Sequence, residues 1–248
     1  MRANLADSLC LVHRLACAAL LGIPGLAAAQ EDWQVVQQSA LWVNTFVDHA
    51  VSDRAALWFD GHWRRMDLGG PPQQVLLRPG VQVTLSPRVR AGGGYAYIAT
   101  APYGESPNPR PVREHRLWQQ VSASHTLLNL SLSHRLRVEQ RWSAPVLADD
   151  DLGPLRYQQR LRYAVRAQRP VGVRTYGFAA NEFFLPVGHS EGAQRRLQNR
   201  AQLGLGLPLD DRQRIEFGYL HQWNRITPRE THEFNHTLVL SWVWTQRP

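Results

Sequence analysis

Between residues 127 and 142 the chain reads LLNLSLSHRLRVEQRW, and its side chains alternate in kind with a period of two. Even positions carry Leu128, Leu130, Leu132, His134, Leu136, Val138, Gln140 and Trp142. Odd positions carry Leu127, Asn129, Ser131, Ser133, Arg135, Arg137, Glu139 and Arg141. Successive strand residues point to opposite faces, so a strand here has one apolar face and one charged face. A helix would mix the two. The next segment repeats the pattern, with Leu155, Tyr157, Leu161, Tyr163 and Val165 set against Arg156, Gln158, Arg160, Arg162 and Arg166.

Applied along the chain, the same template predicts about eleven strands, at 33–46, 55–66, 74–85, 88–100, 113–124, 127–142, 155–168, 171–184, 194–207, 213–226 and 232–244. Several exceed the ~5–6 residues usual in soluble sheets and reach the ~9–11 that cross a bilayer. Short connections are expected near Ser86-Pro87, Ser124-His125, Arg169-Pro170 and from Pro208 to Arg212. Longer ones fall at APYGESPNPRP, SAPVLADDDLGP, PVGHSEGA and TPRETH. Tight turns at one rim and freely growing loops at the other are the habit of outer-membrane barrels. Trp142, Tyr157, Trp223, Trp242 and Trp244 sit near strand ends, where amphipathic rings form girdles at the headgroup level.

The expected fold is therefore all-β, a transmembrane antiparallel β-barrel of 10–12 strands with a polar, arginine-rich lumen. An arginine facing lipid at the midplane costs ~2–4 kcal/mol, which sends the charged faces inward. A closed barrel also satisfies every backbone amide without water. Even strand numbers are the rule for bacterial barrels, so the reading resolves to ten strands, with 33–46 outside the barrel, or to twelve, with one crossing merged or missed.

The full chain carries a formal charge of +8 and contains no lysine. Arg2 and Arg14 precede the apolar LACAALLGIPGL, and Ala27-Ala28-Ala29 stands before Gln30. That arrangement predicts a secretory signal over 1–29, followed by a barrel domain over 30–248. Both cysteines, Cys10 and Cys17, fall inside the signal, which leaves the exported protein without thiol chemistry or disulfides. Its expected location is a Gram-negative outer membrane. The expected partners are outer-membrane lipids, lipopolysaccharide and the barrel assembly machinery, and not nucleic acid.

Five stretches, REHRLWQQ, HRLRVEQRW, LRYQQRLRY, NEFFLPVG and the run from IEFGYLHQW to FNHTLVLSW, resemble the domain of unknown function 2490 family. The resemblance runs over most of the exported chain, is strongest from residue 113 onward and is weakest over 67–112. It implies a predicted outer-membrane barrel with no assigned reaction, and therefore no catalytic residues to carry over. Trp244 is followed by Thr245-Gln246-Arg247-Pro248, where such barrels commonly end on an aromatic residue.

The polar faces collect the candidate site residues: Glu114, Arg116, Arg135, Arg137, Glu139, Arg141, Arg156, Arg160, Arg162, Glu182, Arg196, Arg200 and Glu216. The planar fork of arginine suits bidentate pairing with carboxylates and phosphates. Two uses compete, a lumen filled by cross-strand ion pairs and a narrow anion path whose preference depends on Arg137, Arg160 and Arg162. The expected function is non-enzymatic: a structural barrel or a narrow small-solute or anion channel with a basic, largely plugged interior. One alternative is an outer-membrane enzyme acting on lipid or lipopolysaccharide; another is a soluble periplasmic barrel that binds a ligand. Hydrolase candidates are Ser122, Ser124 and His125; Ser131, Ser133 and His134; and His189, Ser190 and Glu191. In the first two groups each histidine lies on the face opposite its nearest serine. His232 and His236 on a strand stand about 13 Å apart, and no cofactor or metal is expected. The glycines of AGGGYAY are assigned to strand curvature or a small lumen contact.

Overall fold

The computed structural model describes residues 33–104, 110–188, 195–227 and 231–246, and the predicted signal over 1–29 lies outside them. The described residues form a closed all-β barrel. Its strands are β1 (Gln34–Ala50), β2 (Ala55–Met66), β3 (Pro72–Ser86), β4 (Val89–Thr100), β5 (Val112–Leu127), β6 (Leu130–Pro145), β7 (Arg156–Pro170), β8 (Tyr176–Val187), β9 (Arg195–Pro208), β10 (Gln213–Thr227) and β11 (Thr231–Gln246). Every sequential pair is antiparallel, and β1 closes on β11 in parallel from Gln34↔Thr231 to His49↔Gln246.

That closure corrects the expected parity. The 33–46 segment is a barrel strand, no crossing is missing, and the number is eleven. An even count is required only where every neighbouring pair is antiparallel. One parallel pair bonds both edges just as fully, so an odd sheet leaves no open edge.

The connections sort by rim. At one rim lie the turns 51–54, 87–88, 128–129, 171–175 and 209–212, with the end of β11; at the other lie 67–71 and 146–155, with the ends of β4, β8 and β10 and the start of β1. These are called the short-turn and long-loop rims. Two short connections move from where the sequence placed them. His125, Thr126 and Leu127 stay in the ladder opposite Leu132, Ser131 and Leu130, and the chain reverses at Leu128–Asn129. Positive φ at both central residues, 47° and 65°, is the type I′ signature. Leucine is disfavoured there, which is why the dipeptide did not read as a turn. The other reversal falls at 171–175, where Val171 and Gly172 donate their N–H groups to the carbonyl of Thr175. In the β9–β10 turn, backbone N–H groups of Arg212 and Gln213 donate to Asp210, holding its carboxyl below the usual carboxylate range.

Alternation divides the wall. Leu57, Val81, Leu117, Val121, Leu136, Leu203, Leu205 and Leu240 are exposed on the outer surface. Among the described side chains that point outward, charges occur only near strand ends, at Arg65, Arg113, Arg169 and Arg225. Outward polar groups between those ends find one another. Gln119 and Gln140 exchange amide hydrogen bonds at 3.2 Å, and Asn181 and Asn199 do the same at 3.0 and 3.3 Å. Tyr95 pairs with His115, Tyr163 with His134 and Tyr219 with His236. Aromatic groups gather toward both rims. Trp33, His232 and Trp223 contact in series and Trp142 packs on Tyr157 toward the long-loop rim, while His49 stacks on Trp244 toward the short-turn rim.

Two apolar clusters brace the inner wall: Ala40, Trp42, Met66, Leu220 and Val239, and Leu76, Ala96, Ile98 and Trp118. Glycines make room for the second. A Cβ on Gly80 would stand 2.3 Å from the Trp118 ring, and one on Gly94 would stand 2.3 Å from the Pro79 carbonyl. AGGGYAY thus serves the lumen contact that its sequence suggested.

The turn yields a test. Replacing Leu128, which is 88% exposed, with asparagine relieves a left-handed conformation that disfavours leucine by about 1–2 kcal/mol. Urea unfolding in detergent is expected to show Leu128→Asn more stable than wild type by about 1 kcal/mol. A lower midpoint would contradict the strain assigned to this turn.

Candidate functional site

Inward positions of β5 to β8 bring the sequence-predicted residues together. Glu139 on β6 has no exposed surface and accepts hydrogen bonds from Arg160 Nε at 2.9 Å and Arg162 Nη1 at 2.6 Å. Arg162 reaches on through Nη2 to Glu182 Oε1 at 2.7 Å, and Arg135 donates to the same oxygen at 2.7 Å. On the other side Arg116 stands 3.8 Å from Glu139 and hydrogen-bonds Glu114, which Arg141 clasps at 2.6 and 2.9 Å. The result is a continuous band in which each carboxylate serves at least two guanidiniums. Ladder pairing explains it locally: Glu139 sits opposite Arg160, and Arg116 opposite Arg141.

Other groups extend the polar interior. Asp60 accepts from Arg78 at 3.1 Å and from Trp58 Nε1 at 3.2 Å, beside His62. Asp48 on β1 joins Arg90 on β4. Glu216, apart from the central band, binds Arg166 at 2.8 Å, Tyr176 Oη at 2.6 Å and Arg214 at 3.2 Å toward the short-turn rim. Arg137 is fully buried against Trp118, its guanidinium 4.7 Å from the ring and donating to Gln120 at 2.6 and 3.0 Å.

The lumen contains a cavity of about 1020 Å³. Arg156, Arg160, Arg162, Arg196, Arg200, Arg116, Arg135, Arg141, Glu114 and Glu182 line it; Arg137, Glu139 and Glu216 do not. Arg137 stands behind that lining, buried between Trp118 and Gln120. Barrels near eight strands are filled by side chains, and eleven leave this volume even with large arginines inside. Arginines exceed carboxylates around it. Among the described residues Arg64, Arg156, Arg196 and Arg200 line the cavity without an ion pair to a carboxylate.

The first half of the site was missed from sequence. Asp60, His62 and Arg64 alternate with Phe59, Gly61 and Trp63 in LWFDGHWRRM, so the signal was present. Trp42 and Trp58 hid it, because both point inward and line the cavity. Of the hydrolase groups, Ser124, His125 and Ser131 border a small surface pocket beside Arg88, and no hydrogen bond joins a serine to a histidine in the first two groups among the described residues. His125 and His134 stack on the outer surface at 5.3 Å, whereas Ser122 and Ser133 line the interior. His189, Ser190 and Glu191 lie outside the described residues. His232 and His236 face outward and are engaged by Trp223 and Tyr219.

The central band gives a measurable expectation. Glu139→Gln removes the carboxylate shared by Arg160 and Arg162, and breaking a buried pair costs about 3–5 kcal/mol. Asp67→Asn in the exposed 67–71 turn is expected to stay within about 0.5 kcal/mol of wild type. Equal urea midpoints for the two variants would show that the band does not hold the barrel.

Comparison with known proteins places this barrel among chains of unassigned activity. An uncharacterized protein of Methylorubrum extorquens is 29% identical over 218 residues, spanning 86% of this chain and 90% of its own length. A family model described as a protein of unknown function (DUF2490) matches residues 39–233, continuing through the 67–112 stretch where the motif resemblance is weakest. The match spans most of the strands that build the lumen, and the chain belongs to the DUF2490 family.

Proposed function

We propose that this protein is an outer-membrane β-barrel, exported through its N-terminal signal, whose basic interior provides a narrow path for small anions. The observation that carries the reading is the cavity of about 1020 Å³, bordered by more arginines than carboxylates. Rings of arginine favour anions at a constriction, and low-dielectric walls strengthen that preference.

Membrane insertion is supported by the outer surface. Its charges lie near strand ends, its middle is aliphatic, and its polar side chains bond to one another as they must where water cannot reach them. Aromatic groups toward both rims suit the two headgroup levels. A closed sheet satisfies its own backbone groups. Short turns would face the periplasm and long loops the exterior.

Two experiments test this reading. Cell fractionation followed by gel electrophoresis with and without boiling is expected to give an outer-membrane band whose mobility changes on heating; a soluble periplasmic band without that change would overturn membrane insertion. In planar bilayers across a potassium chloride gradient, the reversal potential is expected to report chloride preference. Arg64→Gln combined with Arg200→Gln, neither engaged in an ion pair, should move that potential toward zero. An unchanged potential would overturn the anion path.

A further inference from the structure

Trp42 is a buried lumen ring that gathers arginines from two other strands. Its indole Nε1 donates to Gln73 Oε1 at 2.9 Å, which fixes the ring, and two guanidiniums lie over it. Arg64 comes from β2, with its carbon 3.8 Å from the ring centroid, and Arg200 comes from β9, at 4.8 Å. Both heads are oriented by neutral amides: Arg64 donates to Gln74 at 2.8 Å and Arg200 to Gln222 at 2.8 Å. Gln74 is anchored in turn by Thr100 at 2.8 Å. Arg200 also lies over Phe184 at 4.7 Å.

This arrangement differs from the ion-paired band beside it. Every carboxylate of that band is already shared between guanidiniums, so none is left for Arg64 or Arg200. Arg64 is only 8% exposed, and its Nε–H has no hydrogen-bond partner. Arg116 and Arg162 border the same cavity. A cluster of buried guanidiniums in which Arg64 keeps an unspent N–H favours a counterion. The indole is occupied by the two arginines, which leaves their N–H edges to recognise a ligand. Such edges match the spaced oxygens of a tetrahedral dianion, which can accept two parallel N–H bonds, better than a halide, which offers a single acceptor atom.

We infer that Arg64 and Arg200, held over Trp42, form a binding site for a tetrahedral oxyanion of the phosphate class. The site rests on the same basic cavity as the proposed anion path but makes a separate claim, since bound phosphate also ties β2 and β9 together through its contacts. A ligand that binds only the folded barrel raises its resistance to unfolding.

The test uses the full barrel in a non-ionic, phosphate-free detergent, with the midpoint of heat modifiability as readout. Sodium pyrophosphate is compared with sodium chloride at equal ionic strength. The expected result is a midpoint several degrees higher in pyrophosphate, with the increment lost in Arg64→Gln and in Arg200→Gln. Arg64→Lys keeps the charge without the fork and is expected to retain only part of the increment; it serves where Arg64→Gln does not fold. Equal midpoints in the two salts for wild type, or an increment that survives both substitutions, would overturn the site. Short-chain phosphatidic acid added instead of pyrophosphate separates the sources. A shift from pyrophosphate alone supports free phosphate as the occupant, and a shift from phosphatidic acid as well extends the site to lipid headgroups. Bilayer selectivity without a phosphate shift would keep the path and remove the site; the reverse would keep the site and remove the path.

Discussion

A carboxylate shared between guanidiniums is the interaction around which this interior is organised. Glu139 has no exposed surface, yet Arg160 and Arg162 both donate to it, and Arg162 passes on to Glu182. Guanidiniums carry several N–H groups in a plane, so one can bridge two acids where an ammonium would serve one less well. That geometry lets few acids organise many cations. It also explains an all-arginine interior in a chain without lysine.

Sharing does not neutralise. The band over β5 to β8 uses up its acids, while Arg64 on β2 and Arg200 on β9 are held by amides and aromatic rings. Stacking on Trp42 and Phe184 spreads and orients those charges. The lumen is thus asymmetric, with a cross-linked side that gives rigidity and an unbalanced side that gives electrostatic potential.

The outer surface obeys the complementary rule. Reciprocal amides at Gln119 and Gln140, and tyrosine–histidine pairs at three places, meet their hydrogen-bond needs sideways, along the sheet. Closure is governed by the same demand on the backbone. With eleven strands the edges meet in parallel, and β1 and β11 stay in register from Gln34 to His49. Backbone satisfaction prevails over the regularity of an all-antiparallel wheel.

Period-two alternation by itself determined the element type, ten of the strands closely and the eleventh in part, and which side chains share a face. Arg135, Arg137, Glu139 and Arg141 are inward because Leu136, Val138 and Gln140 are outward, and strand geometry leaves no third choice. The sequence could not determine closure, because parity depends on which edges meet. It could not separate Arg137 from Arg200 either: alternation assigns a face, but Trp118 and Gln120 cover one guanidinium while Trp42 and Gln222 hold the other at the cavity. The turn at Leu128–Asn129 escaped for a related reason, since the ladder of β5 with β6 holds leucine in a backbone conformation it disfavours alone. Faces are local properties of the chain; partners and closure are decided only when distant strands come together.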